Sequence, residues 1–240
     1  MTQYAIANGA TKWIQVWLLV LGVLVYAMIL VGGATRLTDS GLSITEWAPL
    51  SGAVPPLSAA AWDAEFAAYR ETAEYRLQNA GMSMSEFQWI YWWEWGHRQL
   101  GRLIGLVAIV GFVWFALAKW IDRPLARRML LLIGLGGLQG FIGWWMVSSG
   151  IGDTTRVDVA PYRLMTHFCL ALLIIGTIAW TWLDIASDRN FANTAVSAAE
   201  RRVAICLLVL VGFQMAAGAL VAGHDAGRTY TDWPLMAGET

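Results

Sequence analysis

Two histidines, one glutamate and three arginines stand at the mouths of long apolar segments, where ionisable side chains are uncommon and are functional candidates by default. The densest group lies between Trp89 and Arg102. There Glu94, His97, Arg98, Gly101, Arg102 and Gly105 recur at spacings of three and four, so on a helix they share a face, with the indoles of Trp92 and Trp95 turned elsewhere. An imidazole can ligate a metal, guanidiniums pair with carboxylates, and Gly101 and Gly105 leave room for a flat ring or a second helix. The set suits a haem and its propionates. An aromatic belt with snorkelling arginines and a hydrogen-bonded histidine is the competing account. The pairing recurs downstream, where Arg163 and His167 are four residues apart at the start of another apolar segment.

The elements that must position these residues are membrane helices. The 240 residues are 58% hydrophobic and 14% charged, with 15 Trp, too apolar for a soluble domain of this length. The net charge of -1 says nothing about nucleic acid, and no basic cluster or soluble nucleic-acid-binding module appears, so no nucleic-acid partner is expected. Residues 13–33 form an uncharged run long enough to span a bilayer, read as an uncleaved first span and not a removed signal peptide. Further spans are expected at about 84–118, 127–148, 163–185 and 202–222, giving an all-α polytopic bundle. The second is about 52 Å long at 1.5 Å per residue and must protrude. Ser83 and Glu86 have the spacing of a capping box at its start. His97 and His167 lie about 33 and 26 Å above the inner ends of their helices, a mismatch that modest tilt removes. Two of the three histidines therefore meet at one level from two helices, as a bis-histidine haem site requires.

Residues 34–88 form a polar loop in which Ser58 caps an amphipathic helix bearing Trp62, Phe66 and Tyr69, expected to lie on the membrane surface. Gly81 ends that segment. The glycines at 134, 136, 137, 140 and 143 predict close helix packing, with cofactor clearance as the minority reading, and Gln139 should bond between helices. Cys169 and Cys206, both inside apolar runs, are read as reduced structural thiols. Lys12, Lys119, Arg123, Arg127, Arg128, Arg189, Arg201 and Arg202 crowd short segments on one side, which predicts a cytoplasmic N-terminus with loops 34–88 and 149–162 outside.

An internal repeat joins the ends of the chain. Asp39-Ser-Gly41, Thr45-Glu-Trp47 and Pro49-Leu50 recur as Asp225-Ala-Gly227, Thr231-Asp-Trp233 and Pro234-Leu235, each after an apolar helix, and Gly32 matches Gly218. This predicts duplicated four-helix units, the first over 1–190 and the second, over 191–240, present only as its first helix and outer loop. His224 has no counterpart and is read as a loop residue.

The segments GGATRLTDSGLSITEW (Gly32 to Trp47), EFQWIYWWEWGHRQLGRLIG (Glu86 to Gly105), GGLQGFIGWWMVSSG (Gly136 to Gly150), Arg163-Leu-Met-Thr-His167 and AGHDAGRTYTDWPLM (Ala222 to Met236) resemble the haem A synthase family along nearly the whole chain. The resemblance implies a bacterial inner-membrane oxidoreductase of haem biosynthesis that oxidises the C8 methyl of haem O to the formyl of haem A. It implies His97 and His167 as iron ligands for substrate haem O and Glu94 as catalytic residue. A haem b cofactor belongs to a second histidine pair expected beyond Thr240, as for a chain cut short. Arg98, Arg102 and Arg163 are expected to hold haem propionates. Lipids, haem O synthase and an electron donor are the expected partners. The first loop carries no cysteine pair, so thiol mechanisms found in some members do not transfer. The competing function is a non-catalytic bis-histidine electron carrier or anchor; a repeat-built transporter lacks the expected broken spans.

Overall fold

A computed structural model describes residues 4–7, 9–152, 154–186 and 196–228. The elements are α1 (Ala10–Leu37), α2 (Ala59–Arg70), α3 (Ala73–Leu77), α4 (Met84–Leu117), α5 (Arg123–Val147), α6 (Pro161–Ala186) and α7 (Ala198–Gly223). Five of them, α1 and α4 to α7, are long and apolar enough to cross a membrane. The chain is an all-α, multi-pass membrane protein.

Each spanning helix except α4 is longer than the span expected from the sequence. Charged residues extend a helix once the ends are capped: the Asp122 side chain accepts from the Leu125 amide at 2.9 Å, with Pro124 in the first turn, so Arg123 and Arg127 belong to α5 and not to the connection before it. The Ser83–Glu86 capping box is formed as expected, and Ser197 and Glu200 form a second one before α7, a signal present in the sequence and missed there.

Helices α1, α4, α5 and α6 close a ring in which α1 packs on α4 and α6, and α5 on α4 and α6; α7 lies outside it against α6. Helices α4 and α6 thus occupy opposite corners. The buried core is confined to the inner half: Ile14, Trp17, Leu18, Leu21 and Val25 of α1 meet Phe115 of α4, Leu125, Met129 and Leu132 of α5, and Ile174 and Ile178 of α6. Contact there is close enough that Trp17 Nε1 donates to the Val107 carbonyl at 2.9 Å, and a methyl group added at Gly111 would sit 2.0 Å from that nitrogen.

A second core stands outside the ring. Helix α2 does not rest its apolar face on the membrane surface. Phe66 and Tyr69 instead stack on Phe87, and Trp62 packs edge-on against Tyr91, on the protruding start of α4. The overlong α4 supplies an apolar surface above the bilayer, and burying two aromatics there removes more area from water than a partly wetted interface does. Within this cap the Glu74 carboxyl is buried and is pushed up to about 8, first by desolvation and then by the nearby charges of Glu94, Asp39 and Asp158.

Candidate functional site

The inward seam of each ring helix changes character at one level. On α4 the interior positions run Phe115, Gly111, Ala108 and Ile104 up to His97, at spacings of three, four and seven. On α6 they run Ile178 and Ile174 up to His167; on α5, Met129 and Leu132 give way to Gly136, Gln139 and Gly143; on α1, Val25 gives way to Gly32. Bulky side chains therefore plug the half of the ring nearer the N-terminus of α1, and glycines with two imidazoles stand in the other half.

The glycines face the imidazoles. A Cβ at Gly32 would lie 3.1 Å from His97 Nε2, and one at Gly143 would lie 2.9 Å from His167 Cε1. Gly136 and Gly140 have no atom within 4 Å of where a Cβ would be. This overturns the expectation that the α5 glycines mediate tight packing: close helix contact would put a neighbour inside that distance, and Gly143 alone has one, the His167 ring itself. Clearance is what they provide. Gln139 does bond between helices as expected, donating from Nε2 to the His167 carbonyl at 3.0 Å, with both ring nitrogens at 3.3 Å. Its Oε1 is buried without a partner.

Glu94 is 3% exposed and fully engaged. Oε2 accepts from Ser43 Oγ and the Ile44 amide, both at 2.8 Å, and Oε1 accepts from Arg98 Nε at 3.0 Å and Nη2 at 2.6 Å. Arg98 continues to the Glu46 carbonyl at 2.8 Å and the Ile44 carbonyl at 2.9 Å. Arg102 donates from Nε to Pro49 O and from Nη2 to Ala48 O, both at 2.9 Å, while its Nη1 is buried and unpartnered. The expected shared face of His97 and the arginines is thus split: at about 100° per residue, Arg98 and Arg102 turn about 100° and 140° from His97 towards the first loop. Their spacing from Glu94 hid this, since each step of three or four drifts around the helix.

Arg163 is different. It stands one turn outward from His167 on the same stripe, and its Nη1 donates to Trp145 O at 2.6 Å and Ser148 Oγ at 3.2 Å while the guanidinium covers the Trp145 ring. His224 caps α7 and meets Tyr162 edge-on, away from the other two histidines. Cys169 and Cys206 are both free thiols.

The repeat is visible in backbone geometry. Helices α1 and α7 both end in a cap near φ -100, at Thr38 and His224, followed by an aspartate in the left-handed region, Asp39 at φ 48 and Asp225 at φ 50. Arg36 ties the two turns together through Ala222 O and the Asp225 carboxylate. The part of the repeat at Thr231 to Leu235 lies outside the described residues.

Comparison with known proteins bears on the chemistry. The family model described as cytochrome oxidase assembly protein, COX15-CtaA, matches residues 15–240. The chain belongs to that family. Relatives named heme A synthase are 64% identical over 239 residues in Hyphomonas neptunium, 55% over 237 in Dinoroseobacter shibae and 56% over 235 in Cereibacter sphaeroides. These alignments take in 96 to 100% of this chain and 60 to 67% of the relatives, so the chain spans about two thirds of their length. No solved structure matches it.

Proposed function

We propose that this chain forms the substrate-binding bundle of a haem A synthase, in which haem O is held between α4 and α6 and its C8 methyl is oxidised to a formyl group. The observation that carries this reading is the seam change. Two half-buried imidazoles from diagonal helices lie beyond a packed plug, each against a glycine of a neighbouring helix. No group of three or more metal-ligating side chains exists among the described residues, whereas a porphyrin already supplies four ligands and needs two from protein.

In this reading His97 and His167 ligate the substrate's iron, and Gln139 orients His167 through its carbonyl and ring. Arg163 holds a propionate with the donors that Trp145 and Ser148 leave free. Glu94, expected as the catalytic residue, already accepts from four donors. Its geometry favours fixing Ser43 and Ile44 over the site and countering positive charge that develops nearby. Arg98 and Arg102 then serve the site by holding the first loop. A haem b cofactor would need a histidine pair other than His97 and His167, and the described residues supply none. The electron donor and haem O synthase remain proposed partners, and the resident membrane is proposed to be the bacterial inner membrane.

Purification from membranes containing haem O tests the reading. One low-spin haem per chain is expected, lost in His97→Ala and in His167→Ala. A spectrum retained in both variants overturns the site. In the same membranes, haem A should accumulate with Glu94 in place and fall at least tenfold in Glu94→Gln; bound haem without any conversion would instead mark an electron carrier.

A further inference from the structure

The first loop carries a feature that the haem reading does not use. From Trp47 to Trp62 it has no charged residue, between Glu46 and Asp63. Leu50, Val54 and Leu57 in this stretch are 87%, 61% and 82% exposed, an apolar tip on a loop that is otherwise polar.

The tip is pinned at a definite height. Gly52 N and Ala53 N close a tight turn onto Ala48 O at 3.0 Å and Leu50 O at 3.1 Å. The Arg102 guanidinium holds Ala48 and Pro49, and Gln99 Nε2 donates to Ala53 O at 2.6 Å. Gly52 fits because a Cβ there would already be 3.0 Å from Arg102 Nη2. The turn is thereby fixed beside the last charged residue of α4: from Leu103 to Ala118 there is none. One and two turns below Arg102 on the same stripe, Leu106 and Val110 are 60% and 57% exposed, and they lie on the outward side of the ring, on a helix long and apolar enough to cross a membrane. The turn stands next along this stripe, on the other side of Arg102, with Leu50 and Leu57 exposed, and Trp47, half exposed and stacked on Trp144 at 5.7 Å, is an amphipathic indole of the kind that favours an interface.

We propose that the turn from Trp47 to Leu57 dips into the outer leaflet, with its partner the glycerol and upper acyl region of the lipids, and so docks the first loop on the bilayer beside α4. The proposal does not depend on what the histidines bind. A charge-free tip held by a charged residue behind it is what a monotopic contact requires, since apolar side chains enter the lipid while the cation stays at headgroup level.

A nitroxide placed by Leu50→Cys in a Cys169→Ala, Cys206→Ala background, with the protein in lipid nanodiscs, tests this by power saturation with oxygen and with a neutral nickel chelate. Leu77→Cys, on the outer cap and also well exposed, gives the aqueous reference, and Val54→Cys repeats the measurement should the Leu50 label disturb the turn. The oxygen-to-nickel accessibility ratio is expected to be at least fivefold higher at Leu50 and Val54 than at Leu77. Equal ratios at all three sites overturn the proposal in favour of a water-facing loop. Low accessibility to both reagents with dipolar broadening between labels overturns it in favour of a contact between two copies of the chain.

Discussion

At the scale of single residues, the arginines divide by what their helices make them face. Arg98 spends its donors on Glu94 and on the carbonyls of Ile44 and Glu46, a buried, hydrogen-bonded pair whose one-sided removal leaves an uncompensated carboxylate. Breaking such a pair costs about 3 kcal/mol or more. Arg163 keeps donors free on the stripe of His167. The two substitutions should therefore differ in kind. Arg98→Gln is expected to make residues 34–88 sensitive to protease at enzyme levels that leave the parent intact. Arg163→Gln should keep that resistance and lose haem on dilution several times faster than the parent. Limited proteolysis and haem off-rates on both variants decide it, and identical behaviour would remove the distinction.

At the scale of the element, α5 shows how a glycine stripe is read. Glycine in a helix costs about 1 kcal/mol relative to alanine, so a run of them needs a reason, and the structure supplies space instead of a close neighbour: no atom lies within 4 Å of a Cβ at Gly136 or Gly140. Gly136→Leu should extend the plug of Met129 and Leu132 by one layer. Because leucine is the better helix former and meets empty space, the thermal midpoint of the chain should stay level or rise by a few degrees, while haem per chain falls towards zero. Haem content unchanged in this variant would show that the space beside Gly136 is not the ring's.

At the scale of the whole molecule, the plug and the site divide the bundle into a closed and an open end, and the charge pattern assigns the ends to sides. Lys119 and the arginines at the start of α5 lie at the plugged end, and the aromatic cap over Phe87 lies at the open one. The plugged end should face the cytoplasm. With Cys169 and Cys206 replaced by alanine, a cysteine at Ala60 should react with a membrane-impermeant maleimide in intact spheroplasts, and one at Ala118 only after lysis. The reverse pattern would invert the topology. Helix α7 buries no residue, packs on α6 and is tied to α1 through Arg36 and Ala222 O.

Periodicity and length were enough to place five spans and the capping box at Ser83, because each depends on local helix geometry and on the bilayer's fixed thickness. The repeat was legible too, since a turn with Asp in the left-handed region leaves its mark in composition. What the chain order could not settle was direction around each helix. Spacings of three and four keep Glu94 beside Arg98 and Arg98 beside Arg102, yet the drift per step carries Arg102 to the far side from His97; which side is the interior is decided only when α1, α5 and α6 close the ring. The same closure left open space instead of contacts beside four of the α5 glycines, and α2 packs on the start of α4, because burial against a neighbour depends on where that neighbour stands, and no single segment specifies that.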